Sequence, residues 1–153
     1  MIDVNVFSEE RAWSKKIKHK NIFFNNICRA FPKKYKFINK KISFSLLLSN
    51  NKSIKKLNKV FRNKDKPTDI LSFPTSKKIK LIKKIYIGDI IISLNFIDKP
   101  KFQSPKFFKE KLIKTFIHGF LHLLNFDHVK NKDYKKMLKE EKLIYQSVIS
   151  KIK

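Results

Sequence analysis

The sequence predicts an α/β (equally, α+β) fold: one small mixed β-sheet of about four strands covered by helices, as a single domain over residues 1–153. Three observations carry this. Strand-like segments with apolar alternation are interleaved with segments of helical spacing, the order expected of a sheet with helices packed on it. A length of 153 residues fits one domain by the usual prior of roughly 100–200 residues. Hydrophobic content of 42% with 15 Phe is enough for a core, and it excludes a disordered basic tail.

Ile2–Phe7 alternates as an opening strand. Glu9–Phe31 reads as one amphipathic helix, with Trp13, Ile17, Phe24, Ile27 and Phe31 on one face, Ser8 as its cap and Pro32 as its stop. Cys28 lies on that apolar face as a small core residue. A lone cysteine excludes an intramolecular disulfide framework and points to a reducing, cytoplasmic setting. Lys41–Leu48 is a second strand, and Asn50–Phe61 a short helix capped by Asn50 or Asn51. Arg62–Pro67 reads as a loop and Asp69–Phe73 as a strand closed by Pro74. Lys84–Leu94 is a nearly continuous apolar strand, the kind buried on both faces. After a Pro-punctuated connection, Asp98–Ser104, two helices finish the chain, at about 104–124 with Pro105 in its first turn and about 132–149.

No apolar run reaches the roughly 18 residues of a membrane span, so no membrane partner is expected. The N-terminal segment, with its acidic residues and no apolar stretch, does not read as a signal peptide. Lys and Arg number 37 against 12 Asp and Glu, a net charge of +25 that suggests an acidic partner such as nucleic acid. Only Arg11, Arg29 and Arg62 are arginines. A/T-rich coding alone can produce such a Lys-, Asn-, Ile- and Phe-rich chain, so the charge does not by itself establish RNA binding. Against that background a scarce arginine is a candidate for bidentate work that lysine cannot do.

Three of the four histidines fall in the segment HGFLHLLNFDH: His118, His122 and His128. On a helix, positions i and i+4 lie about 40° apart, so His118 and His122 aim at one point, as the helical ligands of a zincin do. A helical wheel sets them opposite the apolar residues from Leu112 to Leu124, towards solvent or a cleft. His128 returns to that point if the helix stops after Leu124, and Asn125 stands where a left-handed cap is needed. Three imidazoles with an open fourth position make a catalytic zinc arrangement, one Zn²⁺ per chain, on a helix of the C-terminal half. Asp127 is either an outer partner for a ring N–H or a solvated turn residue, and His19 reads as a surface residue. The metzincin spacing is present, but its catalytic Glu is replaced by Gly119, which argues against a protease. A glycine there leaves room for substrate or for a neighbouring strand. Gly88 and Asp89 read as structural, Gly88 through a close backbone approach beside the substrate cleft and Asp89 through a helix N-terminus or a lysine partner.

At these residues the sequence resembles the YbeY family of bacterial rRNA maturation endoribonucleases. HGFLHLLNFDH resembles its signature HGxLHLxGYDH. Leu57–Pro74, LNKVFRNKDKPTDILSFP, resembles NxxFRxxxxPTDVLSFP, and Ile87–Ser93, IGDIIIS, resembles LGDIxIS. The last helix is similar in its Met137-to-Glu141 pattern, whereas the N-terminal third matches only in its strand–helix–strand plan. The resemblance implies a zinc ion on His118, His122 and His128, and a functionally important arginine at Arg62. It also implies single-strand-specific RNA cleavage in 16S rRNA 3′-end maturation and late ribosome quality control. Asn125 and Phe126 depart from the family's Gly-Tyr. On this reading Arg62 grips the scissile phosphate, or else is a surface arginine or a structural partner of Asp65 or Asp69. Lys64, Lys66, Lys111 and Lys114 add phosphate attraction. No general base is visible, so either metal-bound hydroxide acts alone or an RNA 2′-OH takes part. Partners expected are single-stranded or ribosomal RNA and the small ribosomal subunit; the sequence does not fix the oligomeric state, and a monomer is the default. The alternative is an rRNA-binding assembly factor whose zinc is structural or weakly catalytic.

Overall fold

The computed structural model describes residues 1–75 and 84–152. Four strands form one mixed sheet in the order β1-β2-β4-β3: β1 (Ile2–Ser8), β2 (Lys41–Ser49), β3 (Ile70–Pro74) and β4 (Lys84–Ser93). β1, β2 and β4 run parallel, and β3 closes one edge antiparallel to β4. The helices are α1 (Ala12–Lys16), α2 (Lys20–Arg29), α3 (Asn51–Arg62), α4 (Leu94–Ile97), α5 (Pro105–Leu123) and α6 (Asn131–Lys151). The α/β expectation holds, with helices on both faces of the sheet.

The alternation of β2 and β4 explains this arrangement, since successive side chains point to opposite faces. Leu46, Leu48, Ile90 and Ile92 face a large core shared with α2, α5 and α6, whereas Ile91 turns the other way to Ile54 of α3 and Leu71 of β3. The large core is aromatic at its centre: Phe24, Phe44, Phe116 and Phe120 stack with ring centroids 5.0 to 5.8 Å apart. The second half of β4, Ile90–Ser93, is buried on both faces as its apolar run predicts, but the first half alternates with exposed positions.

The single helix expected over 9–31 is two helices. Ile17 is extended between them (φ −132°, ψ 111°) and buried. The break has a local cause. Trp13 is fixed from one side, its Nε1–H donating to the Ser49 carbonyl at 2.9 Å. α2 instead lies along the free edge of β1. There Asn25 Oδ1 accepts from Val4 N–H (3.0 Å), its Nδ2 donates to Val4 O (3.1 Å), and Asn21 Oδ1 accepts from Val6 N–H (3.2 Å). Two side chains thus occupy backbone groups that an unpaired edge strand would leave open. Ser8 pairs with Leu48 at the end of β1 and does not cap a helix, and α2 ends at Arg29, ahead of Pro32. Cys28 is buried, which pushes its thiol above the ordinary range.

Gly88 (φ 142°) sits in β4 where the β2–β4 register shifts, and a Cβ there would lie 2.2 Å from the Phe73 carbonyl oxygen. The close backbone approach is therefore to β3. Asp89 is exposed and accepts a hydrogen bond from the Tyr86 hydroxyl, and among the described residues neither a helix N-terminus nor a lysine is its partner. No helix among the described residues is long and apolar enough to cross a membrane.

Candidate metal centre

α5 is built to carry one polar stripe. Ser104 caps it, accepting from Phe107 N–H at 3.1 Å, Pro105 opens it, and residues from Phe108 to Leu123 bury its apolar side. His118 and His122 project from the remaining side, half-buried. Between them Gly119 faces the sheet edge: a Cβ there would meet Ile70 Cδ1 at 2.5 Å, Ser72 Oγ at 3.1 Å and Ile90 Cδ1 at 3.3 Å. The glycine makes room for neighbouring strands, the second of the two readings its position allowed. Ser72 Oγ–H donates to the Gly119 carbonyl at 3.1 Å, tying the helix to β3 at this turn.

The helix ends as Asn125 requires. Asn125 is left-handed (φ 68°), Phe126 N–H bonds to Leu121 O at 3.0 Å and Asn125 N–H to His122 O at 3.0 Å. These are the two bonds of a Schellman turn, with asparagine in the place glycine usually takes. The reversal brings His128 back, its ring 5.4 Å from that of His118 and 5.1 Å from that of His122. One nitrogen from each of the three rings lies within 4.8 Å of the others. Asp127 resolves as a turn residue, its Oδ1 accepting from His128 N–H at 2.7 Å.

The outer ring nitrogens settle what the inner ones can do. His122 Nδ1 faces the Phe126 carbonyl at 2.9 Å, and His118 Nδ1 faces Glu141 Oε1 at 2.5 Å. Neither a carbonyl nor a carboxylate can donate, so both Nδ1 atoms carry the proton and both Nε2 atoms present lone pairs. Those Nε2 atoms lie 3.1 Å apart. Two lone pairs facing each other repel unless a cation lies between them. Nitrogen ligands on a tetrahedral zinc at 2.0–2.1 Å stand about 3.3 Å apart, close to the spacing seen. The three histidines therefore fit a metal ion, with the carboxylate–histidine support common behind such ligands. Burial first, and the His118 charge second, push His122 below the ordinary imidazole range, which favours the neutral, ligating form.

Glu141 is the residue beside the histidines that reasoning from sequence did not single out. It belongs to the matched pattern of α6, but nothing in its local sequence says that α6 packs beside His118. Arg62 is the last residue of α3 rather than part of the following loop. Its Nη2 donates to the Ser72 carbonyl at 3.1 Å, with the guanidinium 6.0 Å from the Phe73 ring centroid. Asp65 instead lies 3.9 Å from Lys55, and Asp69 accepts from Ile70 N–H, so the acidic partners considered for Arg62 are engaged elsewhere. Arg62, Ser72 and Gly119 form a chain of contacts from the outer edge of β3 to the histidine helix. Lys64 and Lys66 are exposed in the turn after α3, and Lys114 is exposed on α5. Lys111 corrects the expectation placed on it: its ammonium donates to the Phe96 and Lys99 carbonyls at 2.9 and 2.8 Å, closing the end of α4 rather than facing a ligand. His19 is exposed ahead of α2.

Comparison with known proteins agrees with this arrangement. The family model described as Endoribonuclease YbeY matches residues 7–149. A Pelagibacter ubique protein named Endoribonuclease YbeY is 60% identical over 152 residues, 99% of each chain. One of the same name from Ehrlichia ruminantium is 34% identical over 84% of this chain and 78% of its own. A solution structure of a Thermotoga maritima protein superposes with a TM-score of 0.58 at 25% identity, covering 98% of this chain and 90% of that one. Motifs, site and relatives agree: the chain belongs to the YbeY family of endoribonucleases.

Proposed function

We propose that this endoribonuclease is zinc-dependent and cuts single-stranded RNA, acting in the cytoplasm in 16S rRNA 3′-end maturation and ribosome quality control. On this reading it works as one domain and one monomer. The observation that carries the metal reading is the pair of Nε2 atoms 3.1 Å apart, each turned inward by a fixed outer hydrogen bond. His118, His122 and His128 hold the ion. Zinc held there would supply Lewis-acid chemistry and a water of lowered pKa. Glu141 holds the His118 Nδ1 proton and the Phe126 carbonyl that of His122, so both rings keep one orientation through the reaction.

Arg62 is assigned the scissile phosphate. Its position is steadied by the Ser72 carbonyl and the Phe73 ring, and a planar guanidinium can take two phosphate oxygens at once. Lys64, Lys66 and Lys114 add salt-sensitive attraction for the strand. The test is cleavage of an unstructured RNA by wild type, His122→Ala and Arg62→Ala, with zinc content measured on each. Expected are full zinc and activity in wild type, loss of both in His122→Ala, and retained zinc with at least about a hundredfold lower rate in Arg62→Ala. Activity unchanged in both variants would overturn the assignment.

A further inference from the structure

Two clefts lie end to end in the groove between α5 and α6. One, of about 90 Å³, is lined by His118, His128, Tyr134, Met137, Leu138 and Glu141. The other, of about 330 Å³, is lined by Lys114, Ile117, Leu138, Glu141, Lys142 and Tyr145. They share Leu138 and Glu141, so the second cleft adjoins the one beside His118 and His128. Helical periodicity explains the alignment. Residues 134, 138, 141 and 145 form one stripe of α6, and Lys114 lies one turn before His118 on the same stripe of α5, about 6 Å along the axis.

The outer cleft combines charge with an apolar wall. Lys114 and Lys142 are exposed, and Lys114 Nζ lies 4.9 Å from the Tyr145 ring centroid. Ile117, Leu138 and the half-buried Tyr145 supply the wall. Of the carboxylates, Glu141 lines the cleft and is occupied with the His118 Nδ1 proton, and Glu110 acts on the Tyr145 hydroxyl at its far end. We infer that this cleft is the subsite for the nucleotide adjoining the scissile phosphate: Lys114 and Lys142 take its phosphate, and its base lies on Tyr145 against Ile117 and Leu138. The inference rests on the histidine centre being the cleavage centre. A phosphate one helical turn from the metal matches the next step of an extended strand. A base can reach an aromatic wall between two helices only when it is out of a duplex stack, so the cleft selects unpaired RNA.

The test measures binding of a short fluorescent oligouridylate at several salt concentrations, within the His122→Ala protein, with the RNA checked to be intact. Lys114→Gln with Lys142→Gln is expected to reduce the salt slope by about 0.7, the value of one single-strand phosphate contact. Tyr145→Leu, which keeps an apolar contact with the core, is expected to weaken binding at least about fivefold with the slope unchanged, the loss of one stacked base. Lys52→Gln with Lys56→Gln, exposed on α3 across the sheet, is the control. An unchanged slope in the Lys114/Lys142 pair, or an equal change in the control pair, overturns the subsite. Should Tyr145→Leu fail to fold, the two exposed lysines still decide the matter. Cleavage persisting in His122→Ala is a separate failure: it removes the histidines from the chemistry and the subsite's role with them.

Discussion

Removing the Glu141 carboxylate tests the metal centre without touching a ligand. Glu141 Oε1 is 2.5 Å from His118 Nδ1, and both side chains are partly exposed, at 26% and 32%. Little folding energy is at stake, because a solvent-accessible pair of this kind contributes about 0–1 kcal/mol. The cost falls on the metal instead. Without its acceptor the His118 ring can rotate or shift its proton to Nε2, the atom needed as a ligand. Loss of such an outer partner typically weakens metal binding 10–100-fold, about 1.4–2.7 kcal/mol. Glu141→Gln leaves a carbonyl to accept the Nδ1 proton but removes the charge, and charge-assisted bonds are roughly twice as strong as neutral ones. The expected order of zinc affinity is therefore wild type, then Gln, then Ala, read by competition against a chromophoric chelator. Melting of the metal-free proteins should differ little. Equal zinc affinity in wild type and Glu141→Ala would refute the claim that Glu141 fixes the ring.

Three further outcomes follow from the same geometry. Gly119→Ala gains about 1 kcal/mol of helix propensity but forces a Cβ to 2.5 Å from Ile70 Cδ1. Overpacking costs about 1–3 kcal/mol, so a net loss of up to about 2 kcal/mol is expected in denaturant titration, and a stabilised protein would contradict the contact. Asn125→Ala puts a residue with no local hydrogen-bonding side chain at φ 68°. It should cost about 1 kcal/mol and weaken zinc binding too, because the same turn positions His128. The third concerns pH. His122 has a folded pKa below its unfolded value of about 6.5, so the unfolded chain binds the extra proton. In metal-free protein the His122 contribution to stability is thus complete above about pH 6.5 and lost as pH falls through the lowered folded value. Melting temperature should drop across that window, the drop should be smaller in His122→Gln, and zinc affinity should fall over the same range. A profile identical in the two proteins would remove His122 as the cause.

Much of this was legible because the decisive features are local. The i, i+4 spacing of His118 and His122, the left-handed Asn125 and the opening of α5 at Pro105 each depend on a few neighbouring residues. What was hidden depends on which elements meet. Glu141 lies far along the chain from His118 and becomes its partner only because α6 packs on α5. The break at Ile17 is absent from the apolar spacing, because it is imposed by the edge of β1 and the Ser49 carbonyl. Lys111 looked like its neighbours in sequence, yet the end of α4 presents it with two carbonyls.

The same distinction divides the +25 charge. Some lysines are committed to the fold: Lys111 to α4, Lys16 to Asp98 at 3.0 Å and Lys34 to the buried Glu140 at 2.6 Å. An ammonium held by an acceptor contributes less to a phosphate than its count suggests. Composition therefore overstates the charge directed at RNA. Lys64 and Lys66 are exposed beyond α3, and Lys114 and Lys142 beside α6. The two pairs stand on elements from opposite layers of the sheet. β3 lies between those layers, with Arg62 on its outer edge and Ser72 joined to the histidine helix. An RNA strand attracted by both lysine pairs would cross that edge, where the donor is planar and fixed rather than mobile. On the proposed mechanism, diffuse charge sets how strongly RNA is drawn in, and the β3 edge sets which phosphate reaches the histidines.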